Sequence, residues 1–139
     1  MEPAINSESI VRAKIALRKT IIQKRKKLGD LKKNEKSIAI AKRLFGMDEF
    51  KKAKSVFCFL STSAEVQTDW IIRESLGLGK QVLVPLLDSE EANLQVACIS
   101  SMDIEFVSGI YGVREPAPKF RKAAHFSSID FVIAPGLAF

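Results

Sequence analysis

The chain has little from which to build a metal site, a disulfide framework or a membrane anchor. It holds a single histidine, His125, with no cysteine or carboxylate at ligand spacing around it, so a structural or surface role is expected there. Its two cysteines, Cys58 and Cys98, fall inside apolar strand-like runs and read as buried thiols rather than as a disulfide or metal ligands. No apolar run approaches the roughly 20 residues that a membrane-spanning helix needs. No signal-peptide pattern opens the sequence, and a cytoplasmic protein is expected. Repeats and low-complexity stretches are absent, and no composition shift divides the 139 residues, which predicts one domain.

Charge is plentiful but unevenly placed. The net charge is +6, and residues 1–54 carry 16 of the 22 Lys and Arg against only 6 of the 16 acids. A basic segment beside a mildly acidic body points to an anionic partner near the N-terminal helices. The run Lys24-Arg25-Lys26-Lys27 looks like a nucleic-acid patch, yet it lacks the interleaved aromatics and base-reading polar residues of such modules. It reads better as a solvated face.

The stretch that organises the rest is Ser55-Val56-Phe57-Cys58-Phe59-Leu60, a short β-branched and aromatic run that predicts a buried strand. Residues 61–68 follow as a small, polar loop with one carboxylate, Glu65. Thr68 reads as the N-cap of a helix ending at Gly77 or Gly79, with Asp69 in its first turn. Gln81–Leu86 makes the next strand. This strand–helix–strand unit predicts parallel pairing with a right-handed crossover, and ligands in such sheets sit beyond the carboxyl ends of the strands. Glu65 lies there.

Upstream, a helix is expected from Ser7 or Ser9 to about Leu28, stopped by Gly29. Its apolar seam is Ile10, Leu17, Ile21 and Leu28, and Lys14 interrupts it. Arg18 lies one turn on, a like-charge pair that costs a few tenths of a kcal/mol unless an anion is shared. A second helix spans Lys32–Phe45, and Asp48–Lys54 makes a short turn of helix. Downstream come an acidic turn at 88–92 and a third strand, Leu94–Ile99. The prolines of Tyr111–Pro118 predict an extended, stiff segment. Trp70 is expected to pack rather than to stack on a ligand. Phe131–Ala134 reads as a fully buried parallel strand, broken by Pro135-Gly136.

These motifs, in this order, resemble the 5-formyltetrahydrofolate cyclo-ligase (5,10-methenyltetrahydrofolate synthetase) family. The resemblance is carried by Lys14-x-x-Leu17-Arg18, by Phe59-Leu60-Ser61 with Glu65-x-x-Thr68, by Tyr111-Gly112-Val113-x-Glu115-Pro116, and by Pro135-Gly136-Leu137-Ala138-Phe139. It implies a three-layer, Rossmann-like α/β fold with a mainly parallel sheet and helices on both faces. It also implies an ATP- and Mg²⁺-dependent reaction. The formyl oxygen of 5-formyltetrahydrofolate is phosphorylated, N10 attacks the activated carbon, and phosphate leaves. Lys14, Arg18, Pro135 and Gly136 would then hold ATP. Glu65 would bind the pterin, and Phe59, Thr62 and Tyr111 would line the folate pocket.

The family's glycine- and arginine-rich phosphate loop would begin after Phe139 and is missing. The expectation is therefore a C-terminally truncated, inactive chain whose catalytic residues lie outside it and which has no metal ligands of its own. The resemblance also implies a monomer with no membrane or nucleic-acid partner. The competing readings are a basic module for RNA or another acidic partner, and a folate-binding pseudoenzyme.

Overall fold

The computed structural model describes residues 7–87 and 93–139, so the expected acidic turn at 88–92 lies outside it. Helix α1 runs over Ser7–Lys26 and α2 over Asp30–Gly46, with a five-residue helix α3 at Asp48–Lys52. Gly29 makes the bend between α1 and α2 with φ of 70°, a left-handed conformation that suits glycine. Strand β1 (Ser55–Cys58), α4 (Asp69–Gly77) and β2 (Gln81–Leu87) form the expected unit. β1 and β2 pair in parallel, with Ser55 opposite Gln81 and Phe57 opposite Leu83. Strand β3 is Leu94–Ile99, and β4 (Phe106–Ser108) and β5 (Arg114–Pro116) pair into a separate hairpin. β6 (Lys122–Ala123) and β7 (Phe131–Ile133) complete the list.

The sheet order is β6-β3-β2-β1-β7. β7 pairs parallel to β1, whereas β3 runs antiparallel to both β2 and β6. Only β3 is reversed, so the sheet is mainly parallel and the α/β class is as expected. Side chains alternate between faces of a strand, so Val56, Cys58, Val82, Val84 and Ile99 share one face. Against it pack Ala41 of α2, Phe50 of α3, and Ile71 and Ile72 of α4, all nearly free of solvent contact. The helices that contribute to these core clusters lie on this face. The other face carries Phe57, Leu83 and Val132.

β7 is not the fully buried strand its composition suggested. It is an edge strand, and Val132 is 59% exposed. The seam of α1 differs too. No residue of α1 is buried, and Ile10 and Leu17 stand open to solvent. Cys58 is the expected buried thiol, and burial pushes its pKa up to about 12. Cys98 is half-buried and free. Trp70 packs edge-on against Phe45 with ring centroids 5.2 Å apart. No helix among the described residues is long and apolar enough to cross a membrane.

Candidate functional site

The chain leaves β1 through a loop that its own side chains hold rigid. Thr68 was expected to cap α4, but its hydroxyl makes no capping bond. It accepts from the Ser61 N–H at 3.1 Å and donates to the Phe59 carbonyl at 2.8 Å. The Thr68 N–H in turn donates to Ser61 Oγ at 3.0 Å, which closes the base of the loop. Both residues are buried, so these bonds are shielded from water. Arg114 braces the same base from the β4–β5 hairpin. Its guanidinium donates to the Ser61 carbonyl and forms an ion pair with Asp69 at 2.6 Å.

Glu65 sits at the tip of this frame. Its Oε2 accepts from the Thr62 N–H at 2.8 Å and from the Thr62 hydroxyl at 3.1 Å. Gln67 donates its side-chain amide to the carbonyls of Thr62 and Glu65, and its backbone N–H is anchored to Ser37 Oγ on α2. One carboxylate oxygen is thus fixed by the loop. Oε1 has no partner among the described residues.

Two clefts meet at Glu65. One, of about 430 Å³, opens at the carboxyl ends of β1 and β7 and is lined by Phe59, Glu65, Ile133, Pro135 and Gly136, with Lys33 and Lys36 of α2. The other, of about 500 Å³, lies between α1 and residues 135–138 and is lined by Lys14, Leu17, Arg18, Ile21 and Glu65. This explains the unburied seam of α1. Leu17 and Ile21 flank a cleft rather than entering a core, so Lys14 does not interrupt a packed surface.

The residues singled out from the sequence divide unevenly. Lys14, Arg18, Pro135 and Gly136 line one cleft, and Phe59 and Glu65 join it from the adjacent one. Thr62, expected to line the folate pocket, lines neither cleft and meets the site only through its two hydrogen bonds to Glu65. Tyr111 lines neither cleft: it is 91% exposed, with φ of 59°, at the turn between β4 and β5. The Tyr111–Pro118 segment therefore begins in a tight 3₁₀ turn, becomes extended from Val113, and pairs as a strand at Arg114–Pro116. The prolines stiffen only residues 115–118, and the turn is made upstream of them by Tyr111 and Gly112, both at positive φ. His125 is an exposed residue near the β6 edge, as expected.

Arg25 escaped the sequence reading, where it was grouped with a solvated basic run. Its Nη2 donates to the Ala64 carbonyl, and its side chain lines both clefts. The signal was its spacing. At 100° per residue it falls within about 20° of Lys14 around the helix.

Among the described residues, no three His, Cys, Asp or Glu side chains gather as a metal-ligand set. The clefts offer one carboxylate and several cations, a donor set suited to anions. Residues 10–139 match the sequence profile of the 5-formyltetrahydrofolate cyclo-ligase family. The chain belongs to this family. A probable 5-formyltetrahydrofolate cyclo-ligase of Caenorhabditis elegans is 28% identical over 119 residues, which cover 81% of this chain and 58% of the worm protein. The solution structure of Aquifex aeolicus 5,10-methenyltetrahydrofolate synthetase superposes with a TM-score of 0.75 at 26% identity, covering 90% of this chain and 61% of that one. The cyclo-ligase fold is therefore shared, and the chain spans about three-fifths of the length of these relatives.

Proposed function

We propose that the two clefts are the folate and nucleotide halves of a cyclo-ligase site. In this reading the protein takes part in the ATP-driven closure of 5-formyltetrahydrofolate to 5,10-methenyltetrahydrofolate, with ADP and phosphate released. One observation carries it. Lys14, Arg18 and Glu65, about 50 residues apart in sequence, line one cleft with Pro135 and Gly136.

The chemistry of each side suits its ligand. Arg18 can fork two phosphate oxygens while Lys14 supplies a point charge, so a triphosphate relieves the repulsion between them. Glu65 offers its free oxygen to the N–H groups on the edge of a pterin ring, and Phe59 offers a flat apolar wall. ATP supplies the phosphoryl group that activates the formyl oxygen. The chain's own part is to hold that oxygen near the phosphates and to keep Glu65 oriented. Glu65 meets both clefts, which supports a folate ring lying beside the nucleotide, as the transfer requires. Mg²⁺ is ordinarily carried by one or two carboxylates together with substrate phosphates. The clefts hold a single carboxylate, Glu65, whose free oxygen goes to the pterin in this reading, so the nucleotide side has none left for the ion.

Calorimetric titration with 5-formyltetrahydrofolate tests the assignment. The Glu65→Gln variant keeps a carbonyl oxygen for the Thr62 N–H but loses the charge. Its affinity is expected to fall about 10- to 100-fold, the worth of a hydrogen bond to a charged group. Unchanged affinity in the variant, or no binding by the folded chain, would remove Glu65 from the site.

A further inference from the structure

Three cations of α1 point the same way. Lys14, Arg18 and Arg25 are spaced by four and seven residues, so they fall within about 40° of one another around the helix and span about 16 Å along it. Lys14 and Arg18 face only the cleft bounded by residues 135–138. Arg25 faces that cleft and the folate-side cleft alike, and it also reaches the groove between the α1–α2 turn and Ser63.

Its hydrogen bond lands on the Ala64 carbonyl, one residue before Glu65. The loop it touches is rigid at its base, through Ser61 and Thr68, and internally, through Thr62, Glu65 and Gln67. Helix α1 is the opposite case. It buries none of its residues, and it joins α2 through the positive-φ bend at Gly29. A helix without buried side chains gains little from packing, so its seat on the body leans on polar ties such as Arg25–Ala64. The guanidinium has five N–H donors, and one bond to Ala64 leaves others directed toward both clefts.

We infer that Arg25 is a positioning residue that couples the two halves of the site. An anion held between Lys14, Arg18 and residues 135–138 seats α1 against the body and so presses Arg25 onto Ala64. That contact fastens α1 to the rigid loop that presents Glu65. A folate in the adjacent cleft meets the remaining donors of Arg25 and so holds the same seat of α1. Each ligand orders what the other requires, which gives positive and reciprocal coupling. The inference rests on the nucleotide and folate assignments proposed above and adds the linkage between them.

The test is calorimetric titration of 5-formyltetrahydrofolate into the full chain, with and without saturating inorganic tripolyphosphate. Wild type, Arg25→Ala and Arg25→Lys are compared after circular dichroism confirms that each is folded. In the wild type, tripolyphosphate is expected to tighten folate binding at least 5-fold, the lower end of ordinary coupling. In Arg25→Ala the ratio of the two affinities falls to about 1, and Arg25→Lys, with a charge but no fork, restores part of it. A residue with a merely structural role would weaken both affinities and leave their ratio alone. A wild-type ratio retained by Arg25→Ala overturns the inference. So does a wild-type ratio of 1 with both ligands bound, which leaves the site assignments intact. Failure of tripolyphosphate to bind the wild type would instead overturn the nucleotide assignment and the coupling with it.

Discussion

Thr62 illustrates how much of the site is set by single side chains. Its N–H and its hydroxyl both donate to Oε2 of Glu65, so the carboxylate is aimed before any ligand arrives. Thr62→Val keeps the shape and the N–H but deletes one donor. The hydroxyl acts on the ligand only by aiming Glu65, so 5-formyltetrahydrofolate should bind about 2- to 10-fold more weakly by titration, less than the loss expected from the charge itself. Thermal stability should barely move, because the bond lies in a half-buried loop outside the hydrophobic core. Arg25 teaches the same lesson from the other direction. Within a run of four cations, one carbonyl acceptor separates a positioning side chain from its solvated neighbours.

The elements around the site owe their stability to contacts outside it. Helix α3 has only five residues and would not form alone; Phe50 holds it, 1% exposed, against Phe45 and Phe131 with ring centroids 5.7 and 5.8 Å away. Phe50→Ala should lower unfolding free energy by about 3–5 kcal/mol in urea titration, through lost burial and the cavity left behind. The start of β1 is tied to β7 by Asp130, whose carboxylate accepts from the N–H groups of Lys54 and Ser55 at 2.8 and 3.1 Å. Those bonds, the one from Lys54 first, hold its pKa below the ordinary carboxylate value. The folded pKa lies below the unfolded one, so the contribution is complete above the unfolded value near pH 4 and is lost as pH falls through the folded one. The stability advantage of wild type over Asp130→Asn should therefore shrink on acidification below about pH 4, measured by urea unfolding at stepped pH.

At the scale of the whole molecule, charge segregation outlasts any single contact. Five of the 16 cations of residues 1–54, Lys14, Arg18, Arg25, Lys33 and Lys36, line the two clefts, and residues 55–139 are mildly acidic. Such a field speeds the approach of an anion more than it slows departure. Lys24 and Lys27 line neither cleft at Glu65, so they serve as probes of the field alone. The double variant Lys24→Gln, Lys27→Gln should slow nucleotide association in stopped-flow at low ionic strength and leave dissociation unchanged. The difference should fade near 0.15 M salt, where the Debye length falls to about 8 Å. A changed dissociation rate would mean that these lysines touch the ligand.

Local chemistry was legible from the residues. Periodicity and turn residues located α1, α2, β1, α4, β2 and β3 to within a few positions, because helices and parallel strands write their period into adjacent side chains. The candidacy of Lys14, Arg18, Glu65, Pro135 and Gly136 came from the family resemblance rather than from period or spacing. Three matters were decided only in three dimensions. The burial of β7 depends on what lies beside it, and composition cannot tell an edge strand from a central one. The placement of Tyr111 follows from the turn between β4 and β5, which lies beyond the reach of the prolines at 116 and 118. The role of Arg25 depends on a carbonyl 39 residues away. Sequence determines which side chains share one face of a helix; only the tertiary structure determines what that face meets, because long-range contact is set by packing and not by spacing along the chain.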